Sequence, residues 1–318
     1  MKKRTLGRTG LEVSELSFGG VFVMSKIAPI DDAQAAVHRA IELGVNYFDT
    51  APTYGDSEVV LGQCLRDVTA PLIVSTKLGG RPKPYDPRDK AMIRDSFEQS
   101  LENLGRDQID ILMVHEPDQK NIYDWWEDED NYTGPVTEVL DELKSEGLIK
   151  FTGIGGISAY KLAHVARSNA FDVVLTAFNY SLLWREAAHE ILPAAVENNM
   201  GVVIGSPLQQ GALACRHDDK VNDPRALSKP RREQFRALYD LCDDLKLSLP
   251  ELGLRFVLSN DAVSTTLMGP KNQQEVEENV AAVEKGPLPA DIMNRLDEIY
   301  AMVPFHPCHE PQGSPFWL

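Results

Sequence analysis

The sequence predicts an α/β fold: a closed (β/α)8 TIM barrel of eight parallel strands, each followed by a helix. Two observations carry this. Eight short apolar runs recur along the 318 residues, and amphipathic stretches separate them. Such alternation builds a parallel sheet, and runs apolar on both faces suit a sheet covered on both sides. An open doubly wound sheet fits the alternation as well; the count of eight favours the barrel. One domain over residues 1–318 is expected, because barrels of this kind commonly use about 250 residues. A composition of 43% apolar residues is enough for a sizeable core.

The elements follow in order. KRTLGRTGLEVSEL (3–16) reads as a β-hairpin turning at Thr9-Gly10, placed to cap the N-terminal end of the barrel. The strand runs are LSFGG (16–20), VNYFDT (45–50), LIVSTK (72–77), IDILMVH (109–115), FTGIGGI (151–157), FDVVLTAF (171–178), GVVIGS (201–206) and VSTTLMG (263–269). DDAQAAVHRAIELG (31–44) opens on the cap pair Asp31 and Asp32 and closes on Gly44. SEVVLGQCLRD (57–67) reads as the next helix, and DPRDKAMIRDSFEQSLENLG (86–105) opens on Asp-Pro and closes on Gly105. Further helical patterns run over 136–147, 159–169, 185–199, 232–247 and 272–284. A C-terminal helix at 289–303 and an irregular tail from residue 304 are expected over the active-site face. No short-period repeat, low-complexity tract or linker interrupts the chain.

A net charge of −16 argues against nucleic acid or an anionic membrane as partner. No apolar run approaches the ~20 residues of a membrane span, and the basic N-terminus lacks the apolar core of a signal peptide. Cys64, Cys215, Cys242 and Cys308 show no zinc-ribbon or CxxC spacing, so reduced thiols in a cytoplasmic protein are expected. No metal is expected either. HPCHE (306–310) is rich in ligand types, but no second cluster supports it.

The C-terminal strand ends of such a barrel carry the active site. There the second run ends in Asp49, with Tyr54 in its loop; the third ends in Lys77 and the fourth in His115-Glu116; Ser158 follows the fifth. A phenol has an ordinary pKa of about 10, and a neighbouring ammonium lowers it. Lys77 supplies the ammonium, Asp49 keeps it charged, and His115 donates a hydrogen bond to a substrate oxygen. The set then serves a carbonyl/alcohol pair as proton donor and acceptor. Taken singly, each residue has a plainer reading. Asp49 can cap a loop and Tyr54 can be a packed ring. Lys77 can sit on the surface or be the Schiff-base lysine of an aldolase. His115-Glu116 can be a metal pair, or the histidine can simply be satisfied by its neighbours.

Read together, LGRTGLEVSELSFGG, AIELGVNYFDTAPTYGDSEVVLG, IVSTK, SLENLGRDQIDILMVHEPD, LDELKSEGLIKFTGIGGIS, GSPLQQGAL and EVEENVAAV resemble the aldo-keto reductases in order and spacing. The branch most similar is that of the L-galactose and D-threo-aldose dehydrogenases. The resemblance implies a barrel that binds a nicotinamide dinucleotide at the strand C-termini, with Tyr54 as general acid/base, Lys77 and Asp49 tuning it and His115 orienting the substrate. Much of the family holds the carboxamide with a Ser-Asn pair and a glutamine. Here the positions read Ser158-Ala159 and Ala177, with Asn179 as a substitute, and Gly205 stands where an aromatic often stacks on the nicotinamide.

The resemblance further implies cofactor contacts from Gly20, from Ser206, Pro207, Leu208 and Gly211 of SPLQQGAL over the pyrophosphate, and from Glu278. Gly269 would let the backbone approach a phosphate, and Asn279 would meet adenine. Lys271 stands where many relatives carry a cation for the 2′-phosphate, whereas Glu275 would accept from a ribose 2′-OH and repel a phosphate. NAD or NADP is expected, with the balance toward NAD, although the same helix face can simply be solvated. Substrate walls are expected from VFVM (21–24), with Phe22, and from DWWEDEDNY (124–132). Its Trp125 and Trp126 can stack on a sugar, or pack the loop onto the barrel. The tail residues Phe305, His306, Phe316 and Trp317 complete that wall. The expected activity is a nicotinamide-dependent oxidoreductase acting on a small aldehyde, ketone or sugar, as a monomer or weak homo-oligomer. A Schiff-base aldolase using Lys77 and a non-catalytic NAD(P)H-binding regulatory subunit are the alternatives.

Overall fold

The computed structural model describes residues 1–81 and 83–304. The expected tail wall (Phe305, His306, Phe316, Trp317) and the HPCHE run lie outside these residues. Strands β1 (Lys3–Thr5) and β2 (Glu12–Ser14) pair antiparallel as the expected hairpin. The eight apolar runs become β3 (Leu16–Gly19), β4 (Tyr47–Asp49), β5 (Ile73–Leu78), β6 (Ile109–His115), β7 (Ile149–Gly156), β8 (Val173–Ala177), β9 (Gly201–Gly205) and β10 (Thr265–Met268). They pair in parallel in chain order, and β10 closes the barrel onto β3. The doubly wound alternative is thereby excluded.

Helices α1 (Ile30–Glu42), α2 (Ser57–Leu65), α3 (Lys90–Leu104), α4 (Pro135–Ser145), α5 (Ala159–Arg167) and α6 (Ile191–Glu197) surround the first part of the barrel. The short α7 (Asp218–Asn222), α8 (Lys229–Leu245), α9 (Leu249–Leu258), α10 (Gln273–Glu284) and α11 (Ala290–Ala301) complete the set. Their apolar faces and the outward faces of the strands form the larger of two buried clusters. No described helix is long and apolar enough to cross a membrane.

Three boundaries differ from expectation. Asp31 and Asp32 lie in the first turn of α1, where they complement the helix dipole without capping it. The cap of α3 is Asp89, whose side chain accepts from the amides of Ala91 and Met92, so the helix starts four residues after Asp86. The 185–199 pattern splits into a 3-10 turn at Glu186–Ala188 and α6. Helix α9 was not foreseen: its run is apolar and buried nearly throughout, and its polar stripe is the single pair Glu251–Arg255, four residues apart.

The smaller buried cluster fills the barrel. It joins Leu6 and Val13 of the hairpin to Tyr47, Ile73, Ile111, Met113, Val173, Leu175, Val203 and Leu267. Leu6 lies so close to Gly201 that a β-carbon there would stand 2.5 Å from its Cγ, which places the hairpin as a plug at the N-terminal end. Side chains on a strand face one side at every second residue. Continuing the inward series toward the C-terminal ends gives Asp49 after Tyr47, Ser75 and Lys77 after Ile73, and His115 after Met113. On the next three strands the last inward positions are Gly155, Ala177 and Gly205. The inner ends of β4, β5 and β6 are therefore polar, and those of β7, β8 and β9 nearly bare.

Candidate active site

Lys77 has 1% of its side chain exposed, and its ammonium donates to Asp49 Oδ2 at 2.6 Å and to the Thr50 carbonyl at 2.8 Å. Asp49 Oδ1 accepts from the Ser75 hydroxyl at 2.6 Å, so both carboxylate oxygens are occupied. The ammonium stands 5.0 Å from the centre of the Tyr54 ring, and His115 meets that ring edge-on at 5.9 Å. The three strand ends thus deliver their polar residues to one space, with Tyr54 reaching in from the β4–α2 loop.

Burial is the largest influence on Lys77 and works to discharge it, but Asp49 and Tyr54 outweigh burial and leave its pKa raised. The amine is therefore a fixed cation. A Schiff base needs a neutral amine, so this lysine does not suit the aldolase alternative. His115 is pushed down to about 3, first by burial and then by Lys77, and is neutral across the working range. For Tyr54 the expectation needs correction. Burial raises the phenol more than Lys77 lowers it, with Asp49 and Glu116 adding to the rise, and the net shift is upward. Lys77 moderates the rise instead of producing a depressed pKa.

The remaining candidates divide. Asn179 is buried, with its Nδ2 donating to the Ile157 carbonyl and Thr176 Oγ1, which leaves its Oδ1 unbonded among the described residues. The Ser158 hydroxyl likewise makes no cap bond. Gly20 lies against Ser57 and the Asp49 carbonyl. Ser206 opens the β9 loop in a left-handed conformation at φ 52°. Pro207 is buried, Leu208 packs on Gly253 of α9, and Gly211 faces open space. On α10, Asn272 caps Glu275, the Glu275 carboxylate accepts from the Lys271 amide at 2.9 Å, and Glu278 accepts from Gln274. Asn279 is half-buried.

Gly269 is exposed, and on the side where a β-carbon would stand the Phe22 ring lies 2.5 Å away, with the Lys271 ammonium 5.6 Å from the centre of that ring. Phe22 therefore packs toward the Gly269 side instead of standing as a free substrate wall. Trp125 and Trp126 are not stacking platforms either. Both are buried, and their indole N–H groups donate to the carbonyls of His115 (2.9 Å) and Pro117 (3.4 Å). They clamp the segment that carries His115.

Residues the sequence reading passed over complete the surroundings. Asp118 Oδ2 accepts from the amides of Ile157 (3.0 Å) and Ser158 (2.5 Å), tying the β6 loop to the start of α5. Tyr123 is half-buried against Trp125 and brings its hydroxyl to the Gly79–Gly80 turn. Glu58 is buried on α2, bonded to Thr76 and paired with Arg81. The acid in HEPD and the tyrosine before the tryptophan pair were visible signals, but neither lies on a strand end.

A barrel whose upper layer joins a fixed lysine–aspartate pair, a phenol and a neutral imidazole is the architecture of a carbonyl-handling oxidoreductase. The profile of the aldo/keto reductase family matches residues 15–301, and the chain belongs to that family. It is 33% identical to L-galactose dehydrogenase of Arabidopsis thaliana, over 88% of this chain and 87% of that protein. It is 29% identical to D-threo-aldose 1-dehydrogenase of a Pseudomonas species, over 91% and 94%. Among solved structures, the holo form of an aldo-keto reductase from Bacillus halodurans superposes with a TM-score of 0.75 at 27% identity, covering 94% of this chain and 96% of that one. The protein is an oxidoreductase of this family.

Proposed function

We propose that the chain acts as a single reductase domain, transferring a hydride between NAD(P)(H) and a small aldehyde, ketone or sugar, with Tyr54 as the proton donor and acceptor. The observation that carries the reading is the contact of Tyr54 with the Lys77 ammonium, 5.0 Å from the centre of its ring and paired with Asp49 at 2.6 Å. The residues present fit a nicotinamide. Gly155, Ala177 and Gly205 put no more than a methyl group inside at the ends of β7, β8 and β9, and Ser158 and Asn179 Oδ1 offer a free hydroxyl and a free acceptor for a carboxamide. When bound, that group supplies or takes the hydride.

The chain's own part is proton management and orientation. In reduction, the Tyr54 hydroxyl gives its proton to the oxygen of the carbonyl, and Lys77 stabilises the phenolate that remains. In oxidation the phenolate takes the proton back. His115, neutral and edge-on to Tyr54, donates a hydrogen bond to the same oxygen and fixes the substrate's approach. NAD is the favoured cofactor. The Glu275 carboxylate sits at the start of α10 beside Lys271, where it accepts from a ribose 2′-OH and repels a 2′-phosphate, and the Lys271 ammonium is turned to Phe22.

The test is a panel of aldoses, their lactols and simple aldehydes, followed at the NAD(P)H absorbance with both cofactors and in both directions. Turnover of carbonyls or lactols with NAD(H) ahead of NADP(H) is expected. A folded protein that binds NADH and turns over none of them would refute the reading.

A further inference from the structure

Thr53 immediately precedes Tyr54, and the acid/base set gives it no task. Both sit on one tight turn, closed by the Tyr54 amide donating to the Ala51 carbonyl at 3.1 Å. The turn is anchored at Thr50, whose carbonyl accepts from the Lys77 ammonium and whose hydroxyl meets Ser57 Oγ at 2.8 Å. The Thr53 methyl lies against Gly80 in the loop after β5: a β-carbon on Gly80 would stand 2.7 Å from Thr53 Cγ2. Gly80 has φ 87°, so its backbone and the room beside it both call for glycine. With the methyl in that room, the hydroxyl faces His115, and Thr53 Oγ1 stands 3.4 Å from Nδ1 of the imidazole. The contact is long, as catalytic hydrogen bonds often are before substrate binds. It is the one hydrogen bond of the Thr53 side chain among the described residues.

A neutral imidazole has one N–H to place on two nitrogens. The ring itself is held, by Trp125 on the His115 carbonyl and by Tyr54 at 83° between the ring planes. Holding the ring does not choose the nitrogen; the hydrogen bond made by one nitrogen decides what the other carries. Nε2 has no partner among the described residues and is not enclosed, so the choice falls to the contact at Nδ1. A hydroxyl both donates and accepts, which allows two arrangements. If Nδ1 donates to Thr53, Nε2 turns a lone pair toward an arriving carbonyl oxygen, and two acceptors face each other. If Thr53 donates to Nδ1, Nε2 carries the N–H and donates to that oxygen. Only the second leaves each group paired when a carbonyl is bound.

We propose that Thr53 is a positioning residue: its hydroxyl donates to His115 Nδ1 and keeps the ring's N–H on Nε2, where it meets the substrate oxygen. The inference rests on the reading in which His115 donates to that oxygen.

The experiment is nitrogen-15 NMR of the full chain labelled at histidine, with the His115 signals assigned by their loss in His115→Asn, read beside kcat/KM for propanal. In the parent, Nε2 should give the signal of a protonated nitrogen and Nδ1 that of a bare nitrogen accepting a hydrogen bond. Thr53→Val keeps the branched shape and removes the donor; Thr53 is exposed, so the fold should tolerate the change. In that variant the Nδ1 signal should move to that of an unbonded or a protonated nitrogen, and kcat/KM should fall about tenfold, the scale of one hydrogen bond. Thr53→Ser returns the hydroxyl without the methyl and should restore both readouts. A role in packing alone would give the reverse order, with Thr53→Val like the parent and Thr53→Ser impaired. A proton on Nδ1 in the parent, or an Nδ1 signal unmoved in Thr53→Val, overturns the inference. The expected signals in a parent that turns over no carbonyl overturn the functional reading, while the hydrogen bond from Thr53 stands.

Discussion

Asp49 and Lys77 form a buried ion pair, and breaking such a pair costs more than making it gains, because the survivor stays charged away from water. Asp49→Asn leaves the ammonium at 1% exposure with a neutral amide in place of its carboxylate. The expected loss is about 3–5 kcal/mol, read from urea unfolding of parent and variant. A loss near zero would mean that water reaches Lys77. At the cofactor end, Glu275→Arg replaces an acceptor at the start of α10 with a cation beside Lys271. Preference should shift toward NADP by about tenfold, measured as the dissociation constants of NADH and NADPH by fluorescence titration. An unchanged preference would assign Glu275 to helix capping alone, the task its bond to the Lys271 amide already performs.

At the scale of elements, the barrel strands were legible because a parallel strand covered on both faces must be apolar throughout, and the break from apolar to polar at Asp49, Lys77 and His115 marks the functional end. Helix α9 was hidden because its polar stripe is the single Glu251–Arg255 pair, little to set against an otherwise apolar run. For the loop tryptophans two roles stayed open in the sequence, because composition does not tell which face of a loop meets the barrel. Trp125 turned inward and became a hydrogen-bond donor to the main chain of His115. Asp118 carried little signal for a related reason, since its partners are backbone amides, which a sequence does not distinguish. Asp118→Ala leaves the amides of Ile157 and Ser158 without their acceptor at the head of α5. We expect a loss of about 2–3 kcal/mol in unfolding free energy, together with a rise in KM larger than the fall in kcat, because His115 and Ser158 lose their common anchor. Unchanged stability and KM would show that the two loops are held independently.

For the whole molecule, the site imposes a pH dependence on folding. His115 is neutral in the folded protein down to about pH 3, whereas the unfolded chain takes up that proton near its ordinary value of 6.5. Between these limits the unfolded state binds more protons, so stability falls as pH drops, by up to about 3 kcal/mol at pH 4. His115→Asn should remove that part of the slope in urea midpoints taken from pH 7 to pH 4, and an identical slope would place the histidine in contact with solvent. The barrel thus keeps a neutral imidazole and a charged lysine side by side, each held by its surroundings in the state that the proposed proton transfer through Tyr54 needs. The most direct measurement of that claim is the turnover of Tyr54→Phe alongside its NADH dissociation constant. Losing only the exchangeable proton, the variant should bind NADH as the parent does and fall in kcat by about 10²–10⁴-fold; turnover close to the parent's would contradict the assignment of Tyr54.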